Sequence, residues 1–257
     1  MEEFAAIIPA AGMATRLSPL PFSKELLPAG AENDSHGQAK LRVISSFLIE
    51  NLQIAGISNI HFVLRAGKWD IPAYYQGGKR EWVDFAYHVT ENLQGPPFSI
   101  DAAYPFIKNK NIVVGFPDIV ISSKQAISKL KASFIREKPD VLLGLFPQNA
   151  FTKWDMVDID KNNQIKKIVI KSESAANLRY AWFSAIWNFK FSQFLHDYLK
   201  VTDQAKLNEE PQLGKIFMKA ADQGFKIQGF PMDDVQCLDT GTVEGYSNLK
   251  QFLNIFF

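Results

Sequence analysis

The sequence contains a single cysteine and no long hydrophobic run. Its one cysteine, Cys237, excludes intrachain disulfides and multi-cysteine zinc sites. No apolar run approaches the ~20 residues needed to span a bilayer, and the opening Met1-Glu2-Glu3 carries no basic leader. We therefore expect a cytoplasmic protein with neither a signal peptide nor a membrane partner.

The sequence also lacks an excess of charge of either sign. Lys and Arg together number 28 and Asp and Glu number 27, which gives a formal net charge of +1. This balance produces no long-range field for nucleic acid or for an anionic membrane surface. Any anionic ligand must therefore be held by a local arrangement of cationic side chains and backbone N–H groups.

Short apolar runs alternate with segments of helical periodicity in the first half of the chain. Strands are predicted at 4–9, 60–64, 111–115 and 140–146, and helices at 43–54, 98–107 and 122–137. This alternation favours an α/β fold with a Rossmann-like, mostly parallel (mixed) sheet flanked by helices. Residues 30–40 are rich in Gly, Asn, Asp and Ser and are predicted to form an exposed loop.

The second half has a different pattern. Two short alternating runs, 154–160 and 165–171, surround a turn-forming Asp-Lys-Asn-Asn sequence and predict a small β-rich insertion. Further strands are predicted at 181–189, 226–230 and 235–238, and helices at 192–200, 212–223 and 243–257. We expect residues 1–257 to form one domain, and the apolar end, 252–257, to dock on the body or on a second subunit of a homo-oligomer.

Most side chains directly after the first predicted strand are short. In the segment Ala10-Ala11-Gly12-Met13-Ala14-Thr15 they would let backbone N–H groups approach a phosphate closely. The segment has neither the Gly-Lys-Ser/Thr ending of a P-loop nor the G-x-G-x-x-G dinucleotide fingerprint. Small residues at a strand end more often serve packing, so this segment alone does not establish a phosphate site.

The residues that follow make the segment specific. Thr15-Arg16-Leu17-Ser18-Pro19 and then Ser23-Lys24-Glu25-Leu26-Leu27-Pro28 resemble the signature of the sugar-1-phosphate nucleotidyltransferases, roughly G-x-G-T-R-x-x-P and then Pro/Ser-Lys-x-x-L-P. Phe116-Pro117-Asp118, Lys171 and Leu238-Asp239-Thr240-Gly241-Thr242 are similar, in order, to the family's metal site, Glu-Lys-Pro motif and Asp-x-Gly-Thr motif. The chain thus resembles the uridylyltransferase and thymidylyltransferase branches of this family.

The resemblance implies a phosphoryl transfer between two partners, a nucleoside triphosphate and a sugar 1-phosphate. An oxygen of glucose 1-phosphate or a relative would attack the α-phosphorus of UTP or dTTP, and pyrophosphate would leave. Arg16 would grip the phosphates of the leaving group with its planar guanidinium, and Lys24 would place a compact charge at the α-phosphate. Lys171 would balance the charge of the incoming sugar phosphate, and the β-rich insertion would bind the sugar.

The resemblance also implies a Mg²⁺ cofactor held by Asp118 and Asp239. Carboxylate oxygens are hard ligands of the kind that Mg²⁺ prefers. Each Asp follows a predicted strand, and adjacent parallel strands would bring both to one edge of the sheet. Without the resemblance, an Asp in this position more often serves as a turn residue or a helix N-cap.

Several specificity positions depart from the family pattern. Residues 10–15 would bind the nucleotide, but Ala14 replaces the second glycine of the loop, and its methyl group could displace the triphosphate or require a shifted backbone. Thr90 falls where the thymidylyltransferases have a base-reading Gln, whereas Gly95 fits the family position. The sequence therefore predicts the reaction class more firmly than the substrates.

Three functions remain open at this point. The first is a sugar-1-phosphate nucleotidyltransferase that uses UTP or dTTP with Mg²⁺. The second is a cytidylyltransferase that acts on phosphocholine or another small phosphate, which an altered pocket would allow. The third is a homologue without catalytic activity that binds a nucleotide as a sensor or a regulatory subunit.

Overall fold

A computed structural model describes residues 3–33, 37, 39–78, 83–91, 95–202 and 210–257. The strands are β1 (Phe4–Pro9), β2 (Pro28–Asn33), β3 (Ala39–Val43), β4 (Asn59–Arg65), β5 (Asp84–Thr90), β6 (Asn111–Gly115), β7 (Ile119–Ile121), β8 (Val141–Pro147), β9 (Met156–Ile159), β10 (Ile165–Val169), β11 (Tyr180–Trp187), β12 (Ile227–Pro231) and β13 (Cys237–Asp239). The helices are α1 (Ser45–Ile54), α2 (Asp70–Tyr75), α3 (Gly95–Asp101), α4 (Tyr104–Ile107), α5 (Ala126–Glu137), α6 (Phe189–Lys200), α7 (Leu213–Asp222), α8 (Val243–Ser247) and α9 (Leu249–Phe256). Short 3₁₀ turns are at Lys24–Leu26 and Glu173–Ala175.

The main sheet is mixed and has a parallel centre. Its order is β10-β9-β11-β6-β1-β4-β5, and β8 pairs with β11 on one side and with β12 on the other. Strands β6, β1, β4 and β5 are mutually parallel, whereas β11 runs antiparallel to β6, β8 and β9. The α/β fold predicted from the alternating pattern is confirmed, and the predicted hairpin of residues 154–171 extends the sheet as β9 and β10.

Strand β1 is apolar throughout because both of its faces are buried. Ala6 and Ile8 point into one hydrophobic cluster and Ala5 and Ile7 into another, and all four are fully buried. Side chains of a strand alternate between the two faces of its sheet, so a strand covered on both sides has no polar face. Helices α1 and α5 contribute to the first cluster, and α3, α6 and α7 to the second.

Some elements differ from their prediction. The loop predicted at residues 30–40 is partly wrong, because residues 30–33 belong to β2 and residues 39–40 to β3, which pair as an antiparallel ribbon. Residues 34–36 and 38 lie outside the described part of the chain. The single helix predicted at 98–107 is divided into α3 and α4, and β5, which no pattern predicted, forms the half-exposed edge of the sheet.

The single helix predicted at 243–257 is divided into α8 and α9 because its two parts have different packing partners. A Cβ on Gly245 of α8 would lie 1.8 Å from the carbonyl oxygen of Asp239, so α8 packs directly on the end of β13. Helix α9 packs through Leu249, Phe252 and Leu253 on a separate cluster around Phe47. The C-terminus thus docks on the body of the molecule. No helix in the described ranges has the length and hydropathy of a membrane span.

Candidate active site

A cleft of about 740 Å³ opens where β1 and β6 end. Ligands of open α/β sheets bind at this carboxyl edge, because the loops that follow the strands meet there. The cleft is lined by ten residues that the sequence analysis named as site residues, namely Ala11, Gly12, Met13, Thr15, Arg16, Lys24, Gly95, Asp118, Lys171 and Asp239.

The carboxylates of Asp118 and Asp239 lie side by side in this cleft. Strand β13 pairs antiparallel with β7, which sets Asp239 opposite Ile119. The backbone N–H and the hydroxyl of Thr240 both donate to the carbonyl oxygen of Asp118, at 2.8 Å and 2.7 Å. A separate two-stranded sheet therefore brings the two residues together, and the expectation that adjacent parallel strands do so was wrong.

Gly241 leaves the space between the two carboxylates open. A Cβ at this position would lie 2.8 Å from Asp118 Oδ2, 2.9 Å from Asp239 Oδ1 and 3.2 Å from a terminal nitrogen of Arg16. The backbone N–H of Gly241 also donates to Asp239 Oδ1 at 2.8 Å, which orients that carboxylate. Any larger residue would displace at least one of the three charged groups.

Lys24 and Arg16 contribute the positive charge beside the two carboxylates. The Nζ of Lys24 lies 2.5 Å from Asp118 Oδ2, and a terminal nitrogen of Arg16 lies 3.8 Å from Asp239 Oδ2. Burial disfavours the ammonium of Lys24, but attraction and hydrogen bonding to Asp118 outweigh that effect and raise its pKa. Lys24 is therefore protonated at neutral pH and keeps its positive charge beside Asp118.

The short turn that carries Lys24 is fixed from several sides. Glu25, which is fully buried, accepts two hydrogen bonds from Lys68 Nζ at 2.8 Å and 2.9 Å. Ser23 donates through its backbone N–H and its hydroxyl to the two carboxylate oxygens of Asp70, at 2.6 Å and 2.7 Å. Because the neighbours of Lys24 are held on both sides, its ammonium has a defined position before any ligand binds.

The loop after β1 lines the cleft through part of its length. Ala10 is buried and its backbone N–H donates to the carbonyl of Val63, so that N–H is not available to a phosphate. Ala14 does not line the cleft and has a φ of +54°, a left-handed conformation that favours glycine. The methyl group of Ala14 therefore lies outside the cleft lining, and its backbone conformation carries some strain.

One wall of the cleft lies on the side of the sheet where β4 and β5 are. It contains Gly95 but not Thr90. Gly95 has a φ of +85°, and a Cβ there would lie 2.7 Å from Glu210 and 3.1 Å from the carbonyl oxygen of Pro211. Only glycine fits this position, which begins α3. Thr90 donates its hydroxyl to the carbonyl oxygen of Leu64 at 3.1 Å and lies outside the cleft lining, so the structure gives it no contact with the cleft.

The opposite wall comes from β9, β10 and β11. Lys171, two residues after the end of β10, shares this wall with Asp155 and Trp182. Burial raises the pKa of the Asp155 carboxyl, and the positive charge of Lys171 and the indole of Trp182 counteract only part of that shift. This side of the cleft thus combines the carboxylate of Asp155 with two lysines, Lys153 and Lys171, and two tryptophans, Trp154 and Trp182.

Sequence reasoning missed four residues of the site. Gly241 lies inside the recognised Asp-Thr-Gly-Thr sequence, so the motif itself was a usable signal for it. Glu25 lies inside the recognised Ser-Lys-Glu-Leu-Leu-Pro sequence and lines the cleft. Trp182 could be interpreted from the sequence as a stacking partner for a sugar or a base, but core or dimer packing was favoured for an aromatic residue at strand spacing. Asp155 had no local signal, because its place in the cleft depends on how β9 and β11 pair.

The donor set of the cleft fits one divalent cation of the Mg²⁺ type. The two carboxylates border one small space, and both offer hard oxygen ligands. Within the described ranges, no group of three or more His, Cys, Asp or Glu side chains could hold a metal ion. A site of two carboxylates matches Mg²⁺, which is usually bound by one or two carboxylates together with substrate phosphates and waters.

These observations define an α/β protein with a cleft at the carboxyl edge of a partly parallel sheet, where two carboxylates, an ammonium and a guanidinium converge. The chain belongs to the nucleotidyl transferase family, whose sequence model matches residues 5–254. The resemblance found in the sequence is thereby confirmed, and the protein is a member of a family of nucleotidyltransferase enzymes.

Solved structures with the same fold cover almost the whole chain. A UDP-glucose pyrophosphorylase in complex with UDP-glucose superimposes with a TM-score of 0.81 at 18% identity, over 99% of both chains. A protein from Bacillus anthracis assigned as a glucose-1-phosphate thymidylyltransferase, in complex with sucrose, has a TM-score of 0.81 at 19% identity, over 96% of this chain and 94% of that one. A UTP-bound UDP-glucose pyrophosphorylase from Acinetobacter baumannii has a TM-score of 0.76 at 18% identity, over 99% of this chain and 93% of that one. No curated protein sequence matches the chain significantly.

Proposed function

We propose that the protein transfers a nucleotidyl group from UTP or dTTP to a sugar 1-phosphate, such as glucose 1-phosphate, and releases pyrophosphate. The observation that carries the proposal is the convergence of Arg16, Lys24, Asp118 and Asp239 in one cleft at the carboxyl edge of the sheet. Both reactants of such a transfer are anions, so a catalyst has to neutralise their repulsion and align them.

The acceptor phosphate attacks the triphosphate in line. A new bond forms between an oxygen of the sugar phosphate and the α-phosphorus, while the bond from that phosphorus to the oxygen bridging to the β-phosphate breaks, and pyrophosphate takes the electron pair. Lys24, already charged and fixed beside Asp118, stabilises the charge at the α-phosphate. Arg16, which is half-exposed at the mouth of the cleft, binds the departing phosphates through its planar donors.

Lys171 is assigned to the acceptor. It lines the wall formed by β9, β10 and β11, away from the loop after β1. A lysine there binds the phosphate of the incoming sugar as a point charge and reduces the repulsion between the two reactants. The loop residues Ala11, Gly12, Met13 and Thr15, together with Gly95, are assigned to the nucleotide.

Asp118 and Asp239 are assigned to a Mg²⁺ ion. When bound, Mg²⁺ neutralises charge on the reacting phosphates and helps to hold them in line. Gly241 keeps the space between the two carboxylates free, and its N–H orients Asp239.

The choice of base and sugar is supported by the neighbouring structures. One UDP-glucose pyrophosphorylase structure contains UDP-glucose and another contains UTP, and both share the fold over almost the whole chain. We therefore rank UTP and glucose 1-phosphate first among the substrates. Nucleoside triphosphates are cytoplasmic metabolites, so the proposal places the protein, as a single domain, in the cytoplasm.

Pyrophosphate release tests the proposal directly. The purified protein is incubated with Mg²⁺, one nucleoside triphosphate and one sugar 1-phosphate at a time, and released pyrophosphate is measured. We expect turnover with UTP or dTTP, a loss of at least a hundredfold in Asp118→Asn, and unchanged activity in the control Asp234→Asn. Asp234 is exposed, lies outside the cleft and pairs with Lys129.

Two results would contradict the proposal. Absence of pyrophosphate with every pair, combined with tight nucleotide binding that Asp118→Asn leaves unchanged, would indicate a regulatory nucleotide-binding protein. A clear preference for CTP and phosphocholine would indicate a cytidylyltransferase for small phosphates.

A further inference from the structure

Lys24 donates to the same oxygen of Asp118 that borders the space beside Gly241. Its Nζ lies 2.5 Å from Asp118 Oδ2. A Cβ on Gly241 would lie 2.8 Å from that oxygen and 2.9 Å from Asp239 Oδ1. Oδ2 is therefore the Asp118 oxygen that a cation shared by the two carboxylates would use. The ammonium of Lys24 and such a cation compete for one ligand atom.

Arg16 brings a second positive charge to the same space. One of its terminal nitrogens would lie 3.2 Å from the Cβ on Gly241, and the other lies 3.8 Å from Asp239 Oδ2. The two carboxylates, the ammonium and the guanidinium thus carry opposite charges in equal number. A divalent cation that entered alone would leave this group with an excess of positive charge. A polyphosphate that entered alone would leave it with an excess of negative charge.

Partial burial makes these charge interactions strong. The side chains of Lys24 and Asp118 are only 15% and 16% exposed. Charges that are largely removed from solvent are screened much less by salt and water than charges on the surface. A hydrogen bond between two ionised groups is also stronger than one between neutral groups. A ligand that separates Lys24 from Asp118 therefore has to replace a substantial interaction.

The backbone of Lys24 cannot withdraw from Asp118. Glu25, the next residue, accepts hydrogen bonds from Lys68 through its carboxylate. Its carbonyl oxygen accepts a hydrogen bond from the hydroxyl of Ser45 at 2.7 Å. The ammonium of Lys24 can therefore leave Asp118 only by rotation of its own side chain towards another anion in the cleft.

We infer that Lys24 is an internal counter-ion of Asp118, and that the opening of this ion pair makes the binding of a divalent cation and the binding of a polyphosphate mutually dependent. A polyphosphate that takes up the ammonium of Lys24 leaves Asp118 Oδ2 free for the cation. Each ligand thereby removes the charge that opposes the other, and such a coupling is reciprocal. The inference rests on the proposed assignment of Asp118 and Asp239 to a divalent cation, and adds a dependence between the two ligands.

Metal binding without a nucleotide tests the first half of the inference. Mn²⁺, which takes the same oxygen ligands as Mg²⁺, is titrated with protein, and the free ion is measured by electron paramagnetic resonance. Lys24→Gln should bind Mn²⁺ about tenfold more tightly than the wild type, the ratio expected for loss of one competing charged hydrogen bond. Removal of a cation from the cleft thus strengthens metal binding.

Nucleotide binding without a metal tests the second half. UTP is titrated in the presence of EDTA, and its affinity is measured by calorimetry. Asp118→Asn should bind UTP about tenfold more tightly than the wild type, because Lys24 then has no anionic partner. Excess Mg²⁺ should raise the affinity of the wild type for UTP by a larger factor than that of Asp118→Asn, which has lost a carboxylate ligand.

Two control variants make the same changes of charge elsewhere. Lys153→Gln removes another lysine of the cleft lining, which pairs with Glu244 at 2.7 Å and not with Asp118. Asp234→Asn removes an exposed carboxylate outside the cleft lining. Lys153→Gln should change the affinity for Mn²⁺, and Asp234→Asn the affinity for UTP, by less than about twofold, because exposed charges are screened.

Three outcomes would overturn the inference. The first is an affinity for Mn²⁺ in Lys24→Gln that does not exceed that of the wild type. The second is an equal gain in Lys153→Gln, which would show a general effect of charge. The third is an affinity for UTP in EDTA that Asp118→Asn does not raise.

The binding measurements require no turnover, so they separate this inference from the proposed function. If no pyrophosphate is released with any pair of substrates but both affinities rise as expected, the proposed function fails and the inference stands. If pyrophosphate is released and neither affinity rises, the inference alone fails.

Discussion

Among single residues, the smallest side chains decide how closely charged groups and backbone approach one another. Gly241 borders both carboxylates and the guanidinium of Arg16, and it has no space for a Cβ. Ala14, in contrast, has a methyl group in a left-handed conformation that glycine adopts without strain. The sequence flagged Ala14 as a departure from the family, and the structure places it in a left-handed conformation with a φ of +54°.

Ala14→Gly should therefore be tolerated or stabilising. Relief of the left-handed alanine gains roughly 1–2 kcal/mol, and the added freedom of glycine in the unfolded chain costs about 0.4–1 kcal/mol. We expect the free energy of unfolding, measured by urea denaturation, to stay the same or rise by up to about 1.6 kcal/mol. The matched control is Ala132→Gly, at an exposed position inside α5, which should lose about 1 kcal/mol. Equal losses at both positions would show that Ala14 is not strained.

Among the secondary-structure elements, the 3₁₀ turn Lys24–Leu26 depends most on partners distant in sequence. Lys68, which is 5% exposed, supplies the partner of the fully buried Glu25. Burial lowers the pKa of Lys68, and the attraction of Glu25 counteracts that shift only in part. The turn that presents Lys24 to the cleft is thus built around an ion pair in the interior.

Lys68→Met should destabilise the protein strongly, because it leaves the carboxylate of Glu25 buried without its partner. A loss of about 3–5 kcal/mol in the free energy of unfolding is expected, measured by urea denaturation. Lys68→Met combined with Glu25→Leu should recover most of that loss, since neither charge is then buried. Lys129→Met, which removes an exposed pair with Asp234, should cost at most about 1 kcal/mol. A Lys68→Met loss no larger than the Lys129→Met loss would contradict this account of the turn.

For the molecule as a whole, the order of the strands arranges the cleft. The strands β4 and β5 support one wall, and β9 to β11 support the other wall. Between the walls, β1 and β6 lead into the small-residue loop and to Asp118. Under the proposed function, the two substrates approach from opposite walls and meet at Asp118 and Lys24. The near-zero net charge agrees with this proposal, because it leaves anion binding to a local group of cationic side chains.

The stability of the whole molecule should decrease in mild acid because of a buried histidine pair in β4 and β5. His61 Nδ1 lies 2.8 Å from His88 Nε2, and burial, with the nearby His88 and Lys110, lowers the pKa of His61 to about 4. The unfolded chain binds a proton at a pKa of about 6.5. The stability that neutral His61 contributes is therefore complete above pH 6.5 and is lost as the pH falls towards 4.

The variant His61→Gln isolates this contribution. Between pH 7.5 and pH 4.5 the free energy of unfolding of the wild type should fall by about 2–3 kcal/mol more than that of the variant, measured by urea denaturation at each pH. The carboxylates titrate in both proteins, so the difference between the two reports on His61. Parallel pH profiles would show that His61 is not the group responsible.

Local patterns in the sequence were sufficient for the α/β class, for most of the strands and helices and for the charged residues of the cleft. The apolar run of β1 and the periodicity of α1 and α5 are properties of neighbouring residues, which the sequence displays directly. The edge strand β5 was missed because its half-exposed side chains carry no clear alternation. The division of the last segment into α8 and α9 was missed because it follows from contacts with Asp239 and Phe47, which are distant in sequence.

From its sequence alone the protein could be placed in the nucleotidyltransferase family, and Arg16, Lys24, Asp118, Lys171 and Asp239 could be nominated, since motif residues keep their order along the chain. The folded arrangement was needed to show that β13 and β7 join the two carboxylates, that Lys68 neutralises Glu25, and that Asp155 faces Trp182. The physical reason is that these contacts depend on strand register and burial between segments far apart in sequence. Local composition carries no information about either.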